Sequence, residues 1–154
     1  MLKRKYNMSS INPKIYVCSD PTFKPTSDKI IEHLNDKIKN YTTADISSRG
    51  DFSVTVPMLG EIISEYDYNL GIVICGYGTY PPMILNRNKD IRATSCVNKE
   101  MTEMAVDFYN INILCLPTLL TLISKTDNIE IIDTFVNIKR NPTYTSRNFL
   151  LERL

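Results

Sequence analysis

GIVICGYG, residues 71–78, is the stretch on which the fold turns. Its first five residues carry no charge and place β-branched side chains at Ile72, Val73 and Ile74. That is the composition of a central parallel strand covered on both faces. The strand ends in Gly-Tyr-Gly, where two residues without side chains let the backbone turn sharply. Outward from this centre, apolar runs alternate with amphipathic ones. KIYVCS (14–19), 41–47, IRATSCV (91–97) and NILCL (112–116) read as further strands. Between them, Ser27 to Asn40 reads as a helix with Ser27 or Asp28 as cap and Ile30, Ile31, Leu34 and Ile38 as its stripe. Pro57 is expected to open a second helix through Tyr66, and Pro81 to Asn86 a third. A fourth follows the cap Asn98, with Met101, Met104, Ala105 and Phe108 as its core stripe. Pro117 is expected to open a helix over Thr118 to Lys125, and Asn128 to Lys139 forms another. Strands alternating with helices predict an α/β fold. The expected architecture is a Rossmann-like three-layer sandwich, with a five-stranded, mostly parallel sheet and helices on both faces.

The 154 residues fit one domain, read as residues 14–154 behind a flexible extension over 1–13. Lys and Arg total 18 against 17 acids, a net charge of +1, which provides no global field to recruit nucleic acid or an acidic membrane. The longest apolar stretch, Ile111 to Ile123, is too short and too interrupted to span a bilayer. Lys3, Arg4 and Lys5 precede no apolar segment of the kind a secretory leader needs. Cys18, Cys75, Cys96 and Cys115 form no CxxC pair and read as reduced thiols of a cytoplasmic protein. His33 is the sole histidine; it abuts the stripe of the first helix and reads as a partly exposed helix residue. No clustered histidine metal site is expected, and phosphate-loop, hydrolase-elbow and zincin signatures are absent.

In open parallel α/β sheets, ligands collect beyond the carboxyl ends of strands, beside helix amides that favour anions. Two loops qualify: Ser19-Asp20-Pro21 after the first strand and Cys75 to Pro82 after the central one. A thiol beside such amides has access to a lowered pKa, although a cysteine at a strand end also serves simply as a small buried residue.

The ordered series IxVxSD, ICGYG, NR-x3-IRA and NINIL resembles the type B ribose-5-phosphate isomerases and the A and B subunits of galactose-6-phosphate isomerase. The likeness runs over about residues 14–154 and is most specific from Leu70 to Leu114. It implies interconversion of an aldose and a ketose through an enediol, with no organic cofactor and no metal. It also implies a homodimer or tetramer with sites between subunits, or a hetero-oligomer with a paralogue. By position it makes Asp20 a substrate-binding carboxylate, Cys75 the proton-abstracting base, Gly76 and Gly78 loop-amide donors, and Asn86 a retained loop residue. Tyr77 and Tyr80 stand where the pattern has small residues. Pro21 replaces a histidine, and Phe108 and Tyr109 replace the ring-opening histidine and its neighbour. Leu119 and Tyr144 replace phosphate-binding arginines, and Arg147 matches the last only across a one-residue insertion. Two readings follow. In one, the site is eroded and the chain is a non-catalytic subunit or binding module for a small sugar or sugar phosphate. In the other, it is an active isomerase that uses Cys75 and new contacts such as Tyr77, Tyr80, Arg87 or Arg92.

Overall fold

A computed structural model describes residues 11–140. Five strands, β1 (Lys14–Ser19), β2 (Thr42–Asp45), β3 (Leu70–Cys75), β4 (Ala93–Ser95) and β5 (Ile113–Pro117), form one sheet in the order β2-β1-β3-β5-β4. All four pairings are parallel. β3 lies at the centre and all of its residues are buried. The helices are α1 (Lys24–Lys37), α2 (Phe52–Glu65), α3 (Tyr80–Leu85), α4 (Lys99–Tyr109), α5 (Thr118–Ser124) and α6 (Asn128–Asn137). Among the described residues no helix is long and apolar enough to cross a membrane.

Alternation along the strands divides the core into two layers. Ile15, Val17, Ile72, Ile74, Leu114 and Leu116 meet α1, α4 and α6 through Ile30, Leu34, Val106, Ile132 and Phe135. Cys18, Val73, Ile113 and Cys115 meet α2 and α3 through Val56, Leu59, Ile63 and Leu85. Phe135 and Ile72 are fully buried; each such side chain contributes about 1.5–3 kcal/mol by leaving water.

Local chemistry moves several expected boundaries. α1 begins at Lys24, ahead of Ser27, because a 3-10 turn over Pro21–Phe23, capped by Asp20, feeds directly into it and Pro25 fits its first turn. Ser27 is therefore buried within the helix, and Asp28 pairs with Lys24 at 2.7 Å. Pro57 lies inside α2 and does not open it. The Asp51 carbonyl already accepts from Val54 and Thr55, so the helix is nucleated upstream, and proline merely forgoes one internal bond. Asn98 caps α4 as expected, its side chain accepting from the Met101 N–H at 2.8 Å.

Of the apolar stripe read on α4, only Ala105 faces the core. Met101, Met104 and Phe108 are 41%, 57% and 51% exposed, while Thr102, Ala105 and Val106 are buried. Threonine enters the inward face because its hydroxyl donates to the Asn98 carbonyl at 2.8 Å, which removes the cost of burying it. His33 is also more engaged than expected: its Nε2 lies 2.6 Å from Asp133 Oδ1, joining α1 to α6. Asn12 and Pro13, assigned to the extension, bond Thr42 at the start of β2.

Candidate functional site

The chain leaves β1 toward β2 on one side and leaves β3 toward β4 on the other, so the strand order reverses between β1 and β3. In open parallel sheets ligands bind beyond the carboxyl ends of such a pair; the cavity of about 730 Å³ beside α4, lined by Asn86, Arg92, Thr94, Asn98, Met101 and Tyr109 among others, lies elsewhere. Asp20 and Cys75 to Gly78 are the residues that follow these two strands. The Asp20 N–H donates to the Ile74 carbonyl at 2.9 Å, tying the two ends together, and its carboxylate accepts from the Thr22 N–H at 2.9 Å.

Cys75 is 4% exposed, and its Sγ lies 3.6 Å from the Leu116 carbonyl. Burial pushes the thiol up to about 11; the Gly78 N–H opposes this by bonding the sulfur, and the charges of Asp20 and Cys18 add to the rise. A thiolate here is a strong base present at very low population near neutrality. All four cysteines are free and buried.

The Cys75–Gly78 loop is fastened along its carbonyls. Thr118 Oγ1 donates to the Cys75 carbonyl at 2.7 Å, the Leu119 N–H to that of Gly76 at 3.0 Å, and the Ser95 hydroxyl to that of Gly78. These anchors all lie on the β5 and β4 side. No peptide bond is cis, and in a trans peptide the N–H points opposite to the preceding C=O. The N–H groups of Gly76, Tyr77 and Thr79 therefore point away from these three anchored carbonyls. Gly78 adopts φ +75°, and an added Cβ would lie 2.3 Å from Ser95 Oγ, so no other residue fits.

The remaining expected site residues part company. Tyr77 is 61% exposed; Tyr80 is 39% exposed and its ring leans on Phe52, with centroids 6.2 Å apart. Neither ring is buried over Cys75. The Asn86 carboxamide is engaged by β4, accepting from the Ala93 N–H at 2.8 Å and donating to the Ala93 carbonyl at 2.7 Å. Arg147 and Tyr144 lie outside the described residues. Phe108 and Tyr109 end α4, which runs antiparallel to the strands. They stand toward the amino-end edge of the sheet, a helix length of about 16 Å from the edge that carries Cys75. Arg92 is held at that edge as well, its Nε donating to the Asn110 carbonyl at 2.6 Å.

Sequence reasoning missed three contributors. Ser95 and Thr118 each sit at the carboxyl end of a strand run, where the rule that selected Cys75 also points. Phe23 gives no local signal: it reaches the site only because the turn after Asp20 folds it back, so that its ring and Leu119 both lie within 3.6 Å of where a Gly76 side chain would start.

The fold defines a parallel α/β protein with a buried thiol and a glycine-turned loop at its topological switch point. The Ribose/Galactose Isomerase family matches residues 15–148, and the chain belongs to that family. It is 29% identical over 130 residues to a probable ribose-5-phosphate isomerase B of Mycoplasma genitalium, covering 79% of this chain and 82% of the relative. It is 27% identical over 126 residues to the galactose-6-phosphate isomerase subunit LacB of Clostridium acetobutylicum, covering 79% and 70%. Among solved structures, ribose-5-phosphate isomerase B from Mycoplasma genitalium with bound ribulose-5-phosphate superposes with a TM-score of 0.78 at 25% identity, over 93% of this chain and 96% of that one. The Trypanosoma brucei type B enzyme shares the fold, with a TM-score of 0.74 at 20% identity over 93% and 99%.

Proposed function

We propose that this chain is a catalytically silent member of the isomerase family, acting as a subunit or sugar-binding module in a homodimeric, tetrameric or mixed assembly. The carrying observation is the apolar cover of the loop. Leu119, at a position where the family resemblance expects a phosphate-binding arginine, presses a methyl group 3.2 Å from where a Gly76 Cβ would stand, and the Phe23 ring lies beside it. Hydrocarbon in that place cannot hold a phosphate dianion; a charged hydrogen-bonded partner contributes about 1.5–3 kcal/mol. Pro21 supplies no side-chain donor, and phenyl at Phe108 exchanges no proton. The LacB relative, itself a subunit, supports a role in an assembly.

A second reading, an active aldose–ketose isomerase, draws on Cys75 at the end of β3, followed by the loop that turns at Gly78. The Cys75 thiolate would take the proton from the carbon next to the carbonyl. The enediolate oxygen would rest on the loop amides, the neighbouring hydroxyl would pass its proton to that oxygen as the new carbonyl forms, and the carbon-bound proton would return to the neighbouring carbon, with no net redox change. A coupled assay of the purified protein and its Cys75→Ala variant on ribose 5-phosphate, allose 6-phosphate and galactose 6-phosphate separates the two. No turnover by either is the expected outcome. Turnover abolished by Cys75→Ala overturns silence and establishes the second reading.

A further inference from the structure

We infer that the cavity beside α4 is a binding site for a flat aromatic molecule that carries an anionic group. The inference goes beyond the reading of the Cys75 loop and holds whether or not the chain turns over a sugar. The volume of about 730 Å³ falls inside the range of roughly 300–1,000 Å³ typical of small-molecule sites. Met101, Met104 and Tyr109 line the cavity from α4, and Thr94 of the edge strand β4 and Ile111 also line it. Met101 and Met104 belong to the stripe that the sequence assigned to the core, yet they and Tyr109 stand substantially exposed. An apolar ligand laid along them recovers the hydrophobic stabilisation that the fold leaves unused. The three torsions and polarisable sulfur of methionine adapt to the edge of an aromatic ring, and Tyr109 adds a ring of its own.

Charge distinguishes the two ends of the cavity. Arg92 lines the end at the α4 C-terminus, where its Nε donates to the Asn110 carbonyl at 2.6 Å and its Nη1 faces the Asp90 carbonyl at 3.4 Å. Both of these acceptors are neutral, so they fix the guanidinium plane without cancelling its charge. That charge outweighs the roughly half-unit negative charge of the helix terminus. Glu100 lines the other end, in the first turn of α4, about 14 Å along the helix from Tyr109. An anionic group is therefore drawn to Arg92 and kept from Glu100, which orients the ligand along the helix.

The test titrates the full chain with two fluorescent probes of similar aromatic shape, the anion anilinonaphthalene sulfonate and its uncharged counterpart phenylnaphthylamine. Saturable binding of a single sulfonate probe per chain is expected. Met104→Asp sets a carboxylate in the apolar wall at an exposed position that the fold tolerates, and weakens both probes by at least about tenfold. Arg92→Gln weakens the sulfonate by about threefold to tenfold, as the loss of a partly screened charged bond requires, and the uncharged probe by less than about twofold. Arg92→Lys keeps the charge and retains most of the sulfonate affinity. Binding that does not saturate, or affinities unchanged by Met104→Asp, overturn the inference, as does equal loss of both probes in Arg92→Gln and Arg92→Lys. A dimer in sedimentation velocity that Met104→Asp breaks, with neither probe bound by the unsubstituted chain, assigns the cavity to a second copy and overturns it too. No sugar enters these measurements, so a failure of the turnover assay and a failure here are separate results.

Discussion

Replacing Gly78 with alanine strikes the loop at its tightest point. The new methyl would stand 2.3 Å from Ser95 Oγ, 2.9 Å from Ser95 Cβ and 3.1 Å from Pro117 Cβ, in a backbone conformation with φ +75°. Three effects add. The left-handed conformation costs an L-residue about 1–2 kcal/mol. Overpacking against a strand residue and a proline ring, neither a flexible chain end, costs about 1–3 kcal/mol. Displacing the Ser95 hydroxyl from the Gly78 carbonyl costs about 1 kcal/mol more. The sum, about 3–6 kcal/mol, is a large part of the roughly 5–15 kcal/mol that stabilises a domain. Urea denaturation followed by far-UV circular dichroism measures it. Combining Gly78→Ala with Ser95→Ala removes the closest atom while leaving the contacts with Cβ of residue 95 and with Pro117, and the backbone strain. The double variant is therefore expected to lose at least about 0.5 kcal/mol less than the two single changes added together. A Gly78→Ala loss below about 1 kcal/mol, or strict additivity with Ser95→Ala, would refute the assignment of that glycine to close packing against β4 and β5.

Two further changes probe the core and the sheet edge. Burial, opposed in part by a Thr55 bond for Cys18 and a Thr102 bond for Cys96, holds Cys18, Cys75 and Cys96 at about 11 against an ordinary 9.0. The folded state then keeps protons that the unfolded chain releases, so this stability is complete below pH 9 and falls as pH rises from 9 through 11, by about 1.4 kcal/mol per thiol per unit at the steepest. Urea midpoints at pH 8 and pH 10.5, compared with those of Cys96→Ala, check this; an equal drop in both proteins counts against it. Asn86→Ala leaves both backbone groups of Ala93 without the carboxamide on an edge strand. It is expected to cost about 2–3 kcal/mol and to promote edge-to-edge association, seen as a lower urea midpoint and higher species in sedimentation velocity. An unchanged midpoint would show that water replaces the amide without loss.

What the sequence determined by itself was whatever a single run of residues enforces locally. The uncharged β-branched run before Cys75 cannot be satisfied except in a strand covered on both faces, and β1 and β3 lie where their composition puts them. The colinear motifs from Leu70 to Leu114 carried the family, and the strand-end rule selected the loops of Asp20 and of Cys75 to Gly78, which follow neighbouring strands at one end of the sheet. Where two faces of a helix offer nearly the same apolar count, the sequence was ambiguous: Met101 and Met104 compete with Thr102 and Val106, and only packing against the sheet selects the second pair. Contacts across the chain were equally out of reach. That Phe23 and Leu119 converge on Gly76, that His33 meets Asp133 a hundred residues away, and that Ser95 holds Gly78 are set by how the strands stack in space. No periodicity encodes such a meeting, because each partner's local preference is satisfied whether or not the other arrives.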